Sequence, residues 1–266
     1  AKHVSRLELS NNRLVGIPME PRAAVAEWNA AEGSVTVHTC TQGPWAFRDT
    51  IAKNLGLPNE KVRVVTADVG GGFGMKAMFS PEYTMAAAAA KMLGRPVKRT
   101  SERSEGFLSD SQGRDHVTTA ELAFDGGKRI LAMRVTTVAN MGAYYYFFAP
   151  YIPTGAALKV LPGVYDIPFL SYGVKAVFTN TVPVDAYRGA GRPESSFLLE
   201  RLMDVAAAET GIDRVELRRR LGAYDCGRRR LEGAARRGIL QRDAHARRQR
   251  PGVDPMRKPA AFVVRE

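Results

Sequence analysis

The chain has 266 residues, 45% hydrophobic and 25% charged, which is ordinary for a globular protein of one large or two small domains, and no apolar stretch approaches the about 20 residues of a membrane helix. A net charge of +12 would favour a nucleic-acid ligand, but residues 218–266 carry 15 Lys and Arg against 5 Asp and Glu, whereas residues 1–217 carry 24 against 22. With no signal peptide, two distant cysteines and four scattered histidines, the sequence predicts a cytoplasmic protein with neither a disulfide framework nor a metal site made of its own side chains.

The first part of the chain is predicted to combine strands with helices. An irregular start leads to a strand around residues 14–17, and the alternation over 35–39 is typical of a half-buried strand. A helix after Pro44 has apolar residues at every fourth position and Gly56 at its end. The apolar stretch 62–69 is predicted to be the strand that leads into a glycine-rich run.

A second helix has stronger local signals. Ser80 is predicted to be its N-cap, Pro81 fits its first turn, and Gly94 ends it. Two alternating strands, 117–124 and 130–138, are then joined by an Asp-Gly-Gly turn and predict a β-hairpin.

The rest of the folded part mixes both element types without strict alternation. The aromatic run 144–148 is interpreted as core in preference to the lining of a substrate funnel. A strand over 174–178 is followed by a helix that ends at Gly211 and a short helix from Asp213. The sequence therefore predicts an α+β fold of mixed sheets with flanking helices.

Beyond residue 220 the periodic pattern ends, so we divide the chain into a folded part, 1–220, and an arginine-rich tail, 221–266. The tail is interpreted as disordered or as translated out of frame. Nucleic-acid binding is ranked below both because Phe262 is the only aromatic residue after Tyr224 and bases need stacking partners.

Four glycines surround Phe73 in the run 70–74 and form the most informative local pattern. Glycine tolerates positive φ angles and lets a ligand approach the backbone, so a binding loop is favoured over a plain tight turn. The spacing fits neither a P-loop, which needs glycine directly before the lysine, nor a Rossmann fingerprint. A nucleotide kinase and an NAD dehydrogenase are therefore not supported.

Five blocks in order resemble one family, the molybdenum hydroxylases, whose large subunits occur in xanthine dehydrogenases, aldehyde oxidases and aerobic carbon monoxide dehydrogenases. The blocks are PMEPR at 18–22, TQGP at 41–44, GGGFGMK at 70–76, QGRDH at 112–116 and DAYRGAGRPE at 185–194. The resemblance covers about four-fifths of the chain and makes the folded part the first portion of a molybdopterin cofactor-binding domain.

This resemblance implies a cofactor, partners and a reaction. The cofactor is molybdenum held by a pterin dithiolene, in its cytosine dinucleotide form, whose sulfurs replace protein metal ligands. The partners are a medium subunit with FAD and a small subunit with 2Fe–2S clusters. The reaction is hydroxylation, with water, of an electron-poor carbon such as that of an aldehyde or an N-heterocycle.

The resemblance also implies which residues bind the cofactor. Gln42 would hydrogen-bond the oxo group on molybdenum, although it could instead only tie its own turn. The backbone and aromatic ring of the glycine run would face the cofactor, as would the loop that closes over the metal; the residues are Gly71, Gly72, Phe73, Gly74, Arg188 and Gly189.

Two arginines are the implied catalytic residues. The guanidinium of Arg188 would stabilise negative charge on the substrate oxygen. Arg114 is a second candidate for the same role, and the alternative for Arg114 is a structural salt bridge with Asp115 or Glu105.

Three departures from the family pattern matter. Residues 185–194 lack the cysteine of the CO-oxidising members, so CO oxidation is not expected. Ala77 stands where purine-oxidising members have glutamate, which disfavours a purine site. The general-base glutamate of the family lies beyond this chain, so we expect a partial subunit that is inactive alone. The alternative is a non-catalytic basic binding protein that uses the arginine-rich tail.

Overall fold

The structure, a computed structural model, describes residues 1–222 and has the predicted α+β class. The described strands are β1 (His3–Asn11), β2 (Leu14–Val15), β3 (Ala23–Asn29), β4 (Ser34–Thr39), β5 (Val62–Val65), β6 (Val97–Thr100), β7 (Gln112–Gly113), β8 (His116–Phe124), β9 (Ile130–Gly142) and β10 (Phe169–Phe178). The described α-helices are α1 (Pro44–Leu55), α2 (Pro81–Leu93), α3 (Arg103–Ser109), α4 (Arg192–Thr210) and α5 (Arg214–Leu221).

One four-stranded sheet, in the order β1-β8-β9-β10, carries the larger apolar core. β8 and β9 form the predicted antiparallel hairpin, β1 pairs antiparallel with β8, and β10 runs parallel to β9. Helices α4 and α5 contribute the other side of this core, which includes Leu122, Phe124, Leu202 and Leu217. Because burying each such side chain stabilises the fold by about 1.5–3 kcal/mol, this core fixes α4 firmly.

The second four-stranded sheet has the order β5-β4-β3-β6 and packs against α1 and α2. Its core includes Phe47, Ile51, Tyr83 and Ala87. β4 and β5 are parallel, and α1 connects them. The loops after these two strands therefore leave the same edge of the sheet, where open α/β sheets commonly bind ligands.

The helices predicted from local signals are confirmed. α1 and α2 end at Gly56 and Gly94, both in the left-handed conformation with φ near +66° and +63°. Ser80 is the N-cap residue of α2 as predicted, but its side chain makes no capping hydrogen bond, and its Oγ instead accepts one from Arg22.

The strand predicted over 62–69 ends at Val65. Its partner β4 ends at Thr39, and the last paired residues are His38 and Val65, so no strand remains for residues 66–69 to pair with. Only two residues near 14–17 form a strand, and β1 and β3 were not predicted at all. β1 pairs with the distant strand β8, and β3 pairs with its neighbour β4 and with the distant strand β6.

Apart from residues 221 and 222, the arginine-rich tail lies outside the described residues. Its interpretation as disordered or out of frame, the division at residue 220 and the alternative of a basic binding protein stay predictions. Within residues 1–222, no helix has both the length and the apolar character needed to cross a membrane. The cytoplasmic location also stays a prediction.

Candidate functional site

The glycine loop, defined as residues 70–77, follows β5 and precedes α2. Gly71 and Gly74 have φ angles of +96° and +102°, which glycine adopts without the strain that a side chain would cause. Phe73 between them has a φ of +52°, an uncommon conformation for a bulky residue. Such strained positions persist only where their surroundings hold them, and they cluster at functional sites.

Two of the glycines also leave space for other parts of the protein. A Cβ on Gly72 would lie 2.4 Å from Oε1 of Gln42, and a Cβ on Gly74 would lie 2.4 Å from the carbonyl oxygen of Ala186. Turn geometry and close packing thus account for these glycines without a ligand. The number of glycines does not by itself indicate a bound group.

Gln42 lies between β4 and α1 and contacts the glycine loop. Its Oε1 accepts a hydrogen bond from the N–H of Gly74 at 3.0 Å, and its own N–H donates to the carbonyl oxygen of Lys76 at 3.1 Å. The side chain is exposed, and its Nε2 donates to no acceptor in the described chain. Gln42 therefore ties two segments together and retains a free amide donor.

Two backbone donors of the glycine loop are also free. The N–H groups of Gly72 and Phe73 donate to no acceptor within residues 1–222, whereas the N–H of Met75 donates to the carbonyl oxygen of Gly72. The Phe73 side chain is 39% exposed. Most backbone N–H groups in folded proteins are paired, so two adjacent unpaired donors, on buried Gly72 and exposed Phe73, are groups that a ligand would satisfy.

The arginine loop, defined as residues 185–191, packs on the glycine loop. The N–H of Arg188 donates to the carbonyl oxygen of Phe73 at 2.9 Å. Gly189 and Ala190 have φ angles of +93° and +43°. The Arg188 side chain is exposed, and its guanidinium makes no hydrogen bond or ion pair with any described residue. The loop thus presents an unpaired positive charge beside the free donors.

Arg114 lies between β7 and β8 and holds the arginine loop. Its buried guanidinium donates to the carbonyl oxygens of Tyr187 at 3.2 Å and Arg188 at 2.8 Å, and to Oε1 of Glu194 at 2.9 Å. It also lies 5.0 Å from the centre of the Tyr187 ring. These contacts join the arginine loop to the first turn of α4.

The alternative that paired Arg114 with Asp115 or Glu105 is wrong. Arg13 forms the ion pair with Asp115, at 2.8 Å, and Arg99 forms the one with Glu105, at 2.5 Å. Glu194 is the partner because the first turn of α4 brings it under the arginine loop, 80 residues along the chain from Arg114. The catalytic role suggested for Arg114 stays a prediction.

Glu20 and Lys76 were not among the predicted site residues, yet they meet at the glycine loop. Oε2 of Glu20 accepts hydrogen bonds from Nζ of Lys76 at 2.6 Å and from the N–H of Gly70 at 2.8 Å. Burial alone would raise the pKa of the Glu20 carboxyl, but the hydrogen bonds from Lys76 and Gly70 bring it below its ordinary value. Both residues lie inside family-like blocks, and that signal could have identified them.

The aromatic run lies beside the arginine loop, and its prediction as core is wrong. Tyr144, Tyr145 and Phe147 are more than half exposed. The run is anchored by its backbone, because buried Asp185 accepts hydrogen bonds from the N–H groups of Phe148 at 2.8 Å and residue 149 at 3.1 Å. Burial raises the pKa of Asp185, although these N–H groups oppose the shift.

The predicted cofactor-binding residues therefore form one connected set. Gln42 bonds the glycine loop, the glycine loop bonds the arginine loop through Phe73 and Arg188, and Arg114 holds the arginine loop. In the part of the chain that the structure describes, no group of three His, Cys, Asp or Glu side chains could hold a metal ion.

Comparison with known proteins shows which family this chain resembles. Residues 1–221 match the model of the molybdopterin cofactor-binding domain. Subunit gamma of the 6-hydroxypseudooxynicotine dehydrogenase complex of Paenarthrobacter nicotinovorans is 41% identical over 224 residues, which are 83% of this chain and 28% of that protein. The carbon monoxide dehydrogenase large chain of Hydrogenophaga pseudoflava is 36% identical over 76% of this chain and 25% of its own length.

Solved structures agree with these relatives. Quinoline 2-oxidoreductase from Pseudomonas putida 86 superposes with a TM-score of 0.80 at 31% identity, over 94% of this chain and 34% of that chain. CO dehydrogenase from Oligotropha carboxidovorans gives a TM-score of 0.77 at 30% identity, over 84% and 28% of the two chains. The chain thus spans about a quarter to a third of the length of the relatives it matches.

Proposed function

This chain belongs to the family of molybdopterin cofactor-binding domains, and we propose that its glycine and arginine loops form one side of a molybdopterin site. The observation that carries the proposal is the set of free donors on three touching segments: the N–H groups of Gly72 and Phe73, Nε2 of Gln42 and the guanidinium of Arg188. Molybdopterin has several acceptor atoms and an anionic phosphate group, so these donors fit it without a protein metal ligand.

Each residue has a separate part in this proposal. Gln42 donates its amide to the cofactor while its oxygen holds the glycine loop. Gly72 and Phe73 donate their backbone N–H groups, and Gly71 and Gly74 give the loop the shape that presents them. When bound, the cofactor supplies the molybdenum centre at which an electron-poor carbon is hydroxylated with oxygen from water.

The two arginines have different roles: Arg188 stabilises charge and Arg114 positions the loop. Arg188 provides the free guanidinium that stabilises negative charge on the substrate oxygen, and Gly189 gives the loop a positive φ of +93° next to it. Arg114 donates to the carbonyl oxygens of the arginine loop and to Glu194, and so fixes the backbone that carries Arg188. We therefore assign Arg114 to positioning.

The names of the similar proteins support a more specific proposal for the partners and the substrate. We propose electron transfer to FAD and 2Fe–2S clusters on partner subunits, since one relative is named as subunit gamma of a dehydrogenase complex and another as a large chain. The cytosine dinucleotide form of the cofactor is proposed from the resemblance of the motif blocks. Relatives named for nicotine and quinoline favour an N-heterocycle as substrate, with an aldehyde as the other class. The absence of cysteine from residues 185–194 argues against CO.

We expect the purified 266-residue chain to bind molybdopterin, and the Gln42→Ala variant to bind it about tenfold more weakly, because the variant loses a cofactor donor and the hydrogen bond to Gly74. Cofactor released from another molybdenum enzyme is added in increasing amounts, and bound pterin is measured after gel filtration. Asn54→Ala is the control, since the Asn54 amide is exposed and contacts Thr84 away from the loops. Failure of the unmodified chain to retain pterin contradicts the proposal.

We also expect no turnover from this chain after it is loaded with cofactor. In the described residues, the carboxylates next to the two loops are already engaged: Glu20 by Lys76, Glu194 by Arg114 and Asp185 by backbone N–H groups. Each of these carboxylates thus already accepts hydrogen bonds from the protein. Dye reduction with aldehydes and N-heterocycles measures the reaction, and sustained turnover would overturn this expectation.

A further inference from the structure

The glycine loop is held at both ends by a single side chain. At its start, Gly70 donates its N–H to Oε2 of Glu20 at 2.8 Å and accepts the N–H of Glu20 at 3.1 Å. Near its end, Nζ of Lys76 donates to the same Oε2 at 2.6 Å. The free N–H groups of Gly72 and Phe73 lie between these two attachment points.

Lys76 is well suited to such a role because it has no exposed surface. A buried ammonium group requires a partner, and Glu20 is its ion-pair partner in the described chain. The carbonyl oxygen of Lys76 accepts hydrogen bonds from the N–H of Gln42 and from Oγ1 of Thr41, both at 3.1 Å. Lys76 thus joins the glycine loop to Glu20 and to the segment that carries Gln42.

The segment that carries Glu20 is itself fixed on both sides. Arg103 of α3 donates to the carbonyl oxygens of Pro18 at 2.7 Å and Met19 at 3.0 Å. On the other side, buried Arg22 forms an ion pair with Asp110 at 2.6 Å. Glu20 therefore projects from a backbone that cannot follow the glycine loop if the loop moves.

Gly70 completes the arrangement. A Cβ at this position would lie 2.5 Å from Cβ of Glu20, so a larger residue would push the loop away from the carboxylate. The φ angle of Gly70 is not in the left-handed region, and its glycine identity follows from this approach. The backbone of a glycine-rich loop is flexible by itself, so the direction of its free donors depends on fixed ends.

We propose that Glu20 and Lys76 are a positioning pair that fixes the glycine loop and so aims the N–H groups of Gly72 and Phe73 at the cofactor. The aim at a cofactor rests on the proposed function, whereas the fixing of the loop does not. The pair touches neither cofactor nor substrate in this proposal. It acts through the backbone that lies between its two attachment points.

The test compares Glu20→Gln and Lys76→Met with Leu202→Ala, which removes buried side-chain atoms from the other sheet's core and serves as a destabilised control. Amide hydrogen exchange of the full chain without cofactor is followed by mass spectrometry on peptides covering the glycine loop and α4. We expect exchange in the glycine loop to rise at least about tenfold in the first two variants and to stay unchanged in the control, at a temperature where all three are folded. Glu20→Gln keeps the size of the side chain and serves if Lys76→Met does not fold.

Molybdopterin affinity, measured on the same proteins, supplies the second readout. We expect at least about tenfold weaker binding by Glu20→Gln and unchanged binding by Leu202→Ala. The positioning role is overturned if hydrogen exchange in the glycine loop of the variants stays as slow as in the unmodified chain. It is also overturned if the affinity for molybdopterin falls in proportion to the melting temperature in all variants. If the unmodified chain binds no molybdopterin, the proposed function fails, and the exchange result alone then decides whether the pair fixes the loop.

Discussion

Gly74→Ala is expected to abolish measurable molybdopterin binding and to lower the free energy of unfolding by more than about 2 kcal/mol. Alanine at a φ of +102° is strained, and its Cβ would lie 2.4 Å from the carbonyl oxygen of Ala186. The new methyl group therefore separates the glycine loop from the arginine loop, which the hydrogen bond between Arg188 and Phe73 now joins. Urea unfolding measures the stability, and retained pterin after gel filtration measures the binding.

Gly94→Ala is the matched control for this substitution. Gly94 also has a positive φ, +63°, at the end of α2, but a Cβ there would meet nothing within 4 Å. The control carries backbone strain of about 1–2 kcal/mol without a collision, and it should leave cofactor binding unchanged. Equal losses of stability in the two variants would mean that the contact between the loops contributes nothing.

The glycine run was predicted correctly as a special loop, but the reason for its glycines differs from the predicted one. Four glycines around Phe73 favoured a ligand-binding loop, because a tight turn alone would need fewer of them. In the structure, Gly71 and Gly74 serve backbone conformation, and Gly72 and Gly74 admit neighbouring protein atoms. The glycines are thus explained inside the protein, and the case for a ligand rests on unpaired donors that no sequence pattern reveals.

The elements that were predicted well carry their signals locally. α2 has proline in its first turn and a left-handed glycine after its last, and the hairpin of β8 and β9 has its turn residues between two alternating strands. β1 lacks such signals, since Ser5 is its single fully buried residue. Its partner β8 begins more than 100 residues later, so its extended form is a consequence of tertiary pairing.

The site residues likewise divide into those that the sequence motifs identified and those whose contacts depend on the fold. The motif blocks identified Gln42, Phe73 and Arg188, which the structure brings into contact through the two loops. The partner of Arg114 was misidentified because only acidic residues nearer in sequence were considered. In the structure its partner is Glu194, a buried residue in the first turn of α4. The aromatic run was misplaced because its hydrophobicity favours burial, whereas in the structure its backbone is bonded to Asp185 and most of its rings are exposed.

Arg114→Met is expected to lower the free energy of unfolding by about 3–5 kcal/mol, the usual effect of breaking a buried ion pair. Glu194 is 7% exposed and would keep a buried charge without its partner. Methionine retains an unbranched side chain at the same φ of +67°, so the backbone strain is common to both proteins. Loss of the bonds to Tyr187 and Arg188 should also free the arginine loop, which makes trypsin cleavage after Arg188 faster.

Arg134→Met is the control for Arg114→Met, because it removes an arginine whose ion pair is exposed instead of buried. Arg134 forms an exposed pair with Glu121 on β8, and removing it should cost less than about 1 kcal/mol and leave cleavage after Arg188 unchanged. The double variant Arg114→Met with Glu194→Gln should regain part of the stability, because the unpaired buried charge is gone, but it should still be cleaved quickly since the loop carbonyls stay unbonded. Recovery of protease resistance together with stability would mean that the ion pair, and not the two carbonyl contacts, holds the arginine loop.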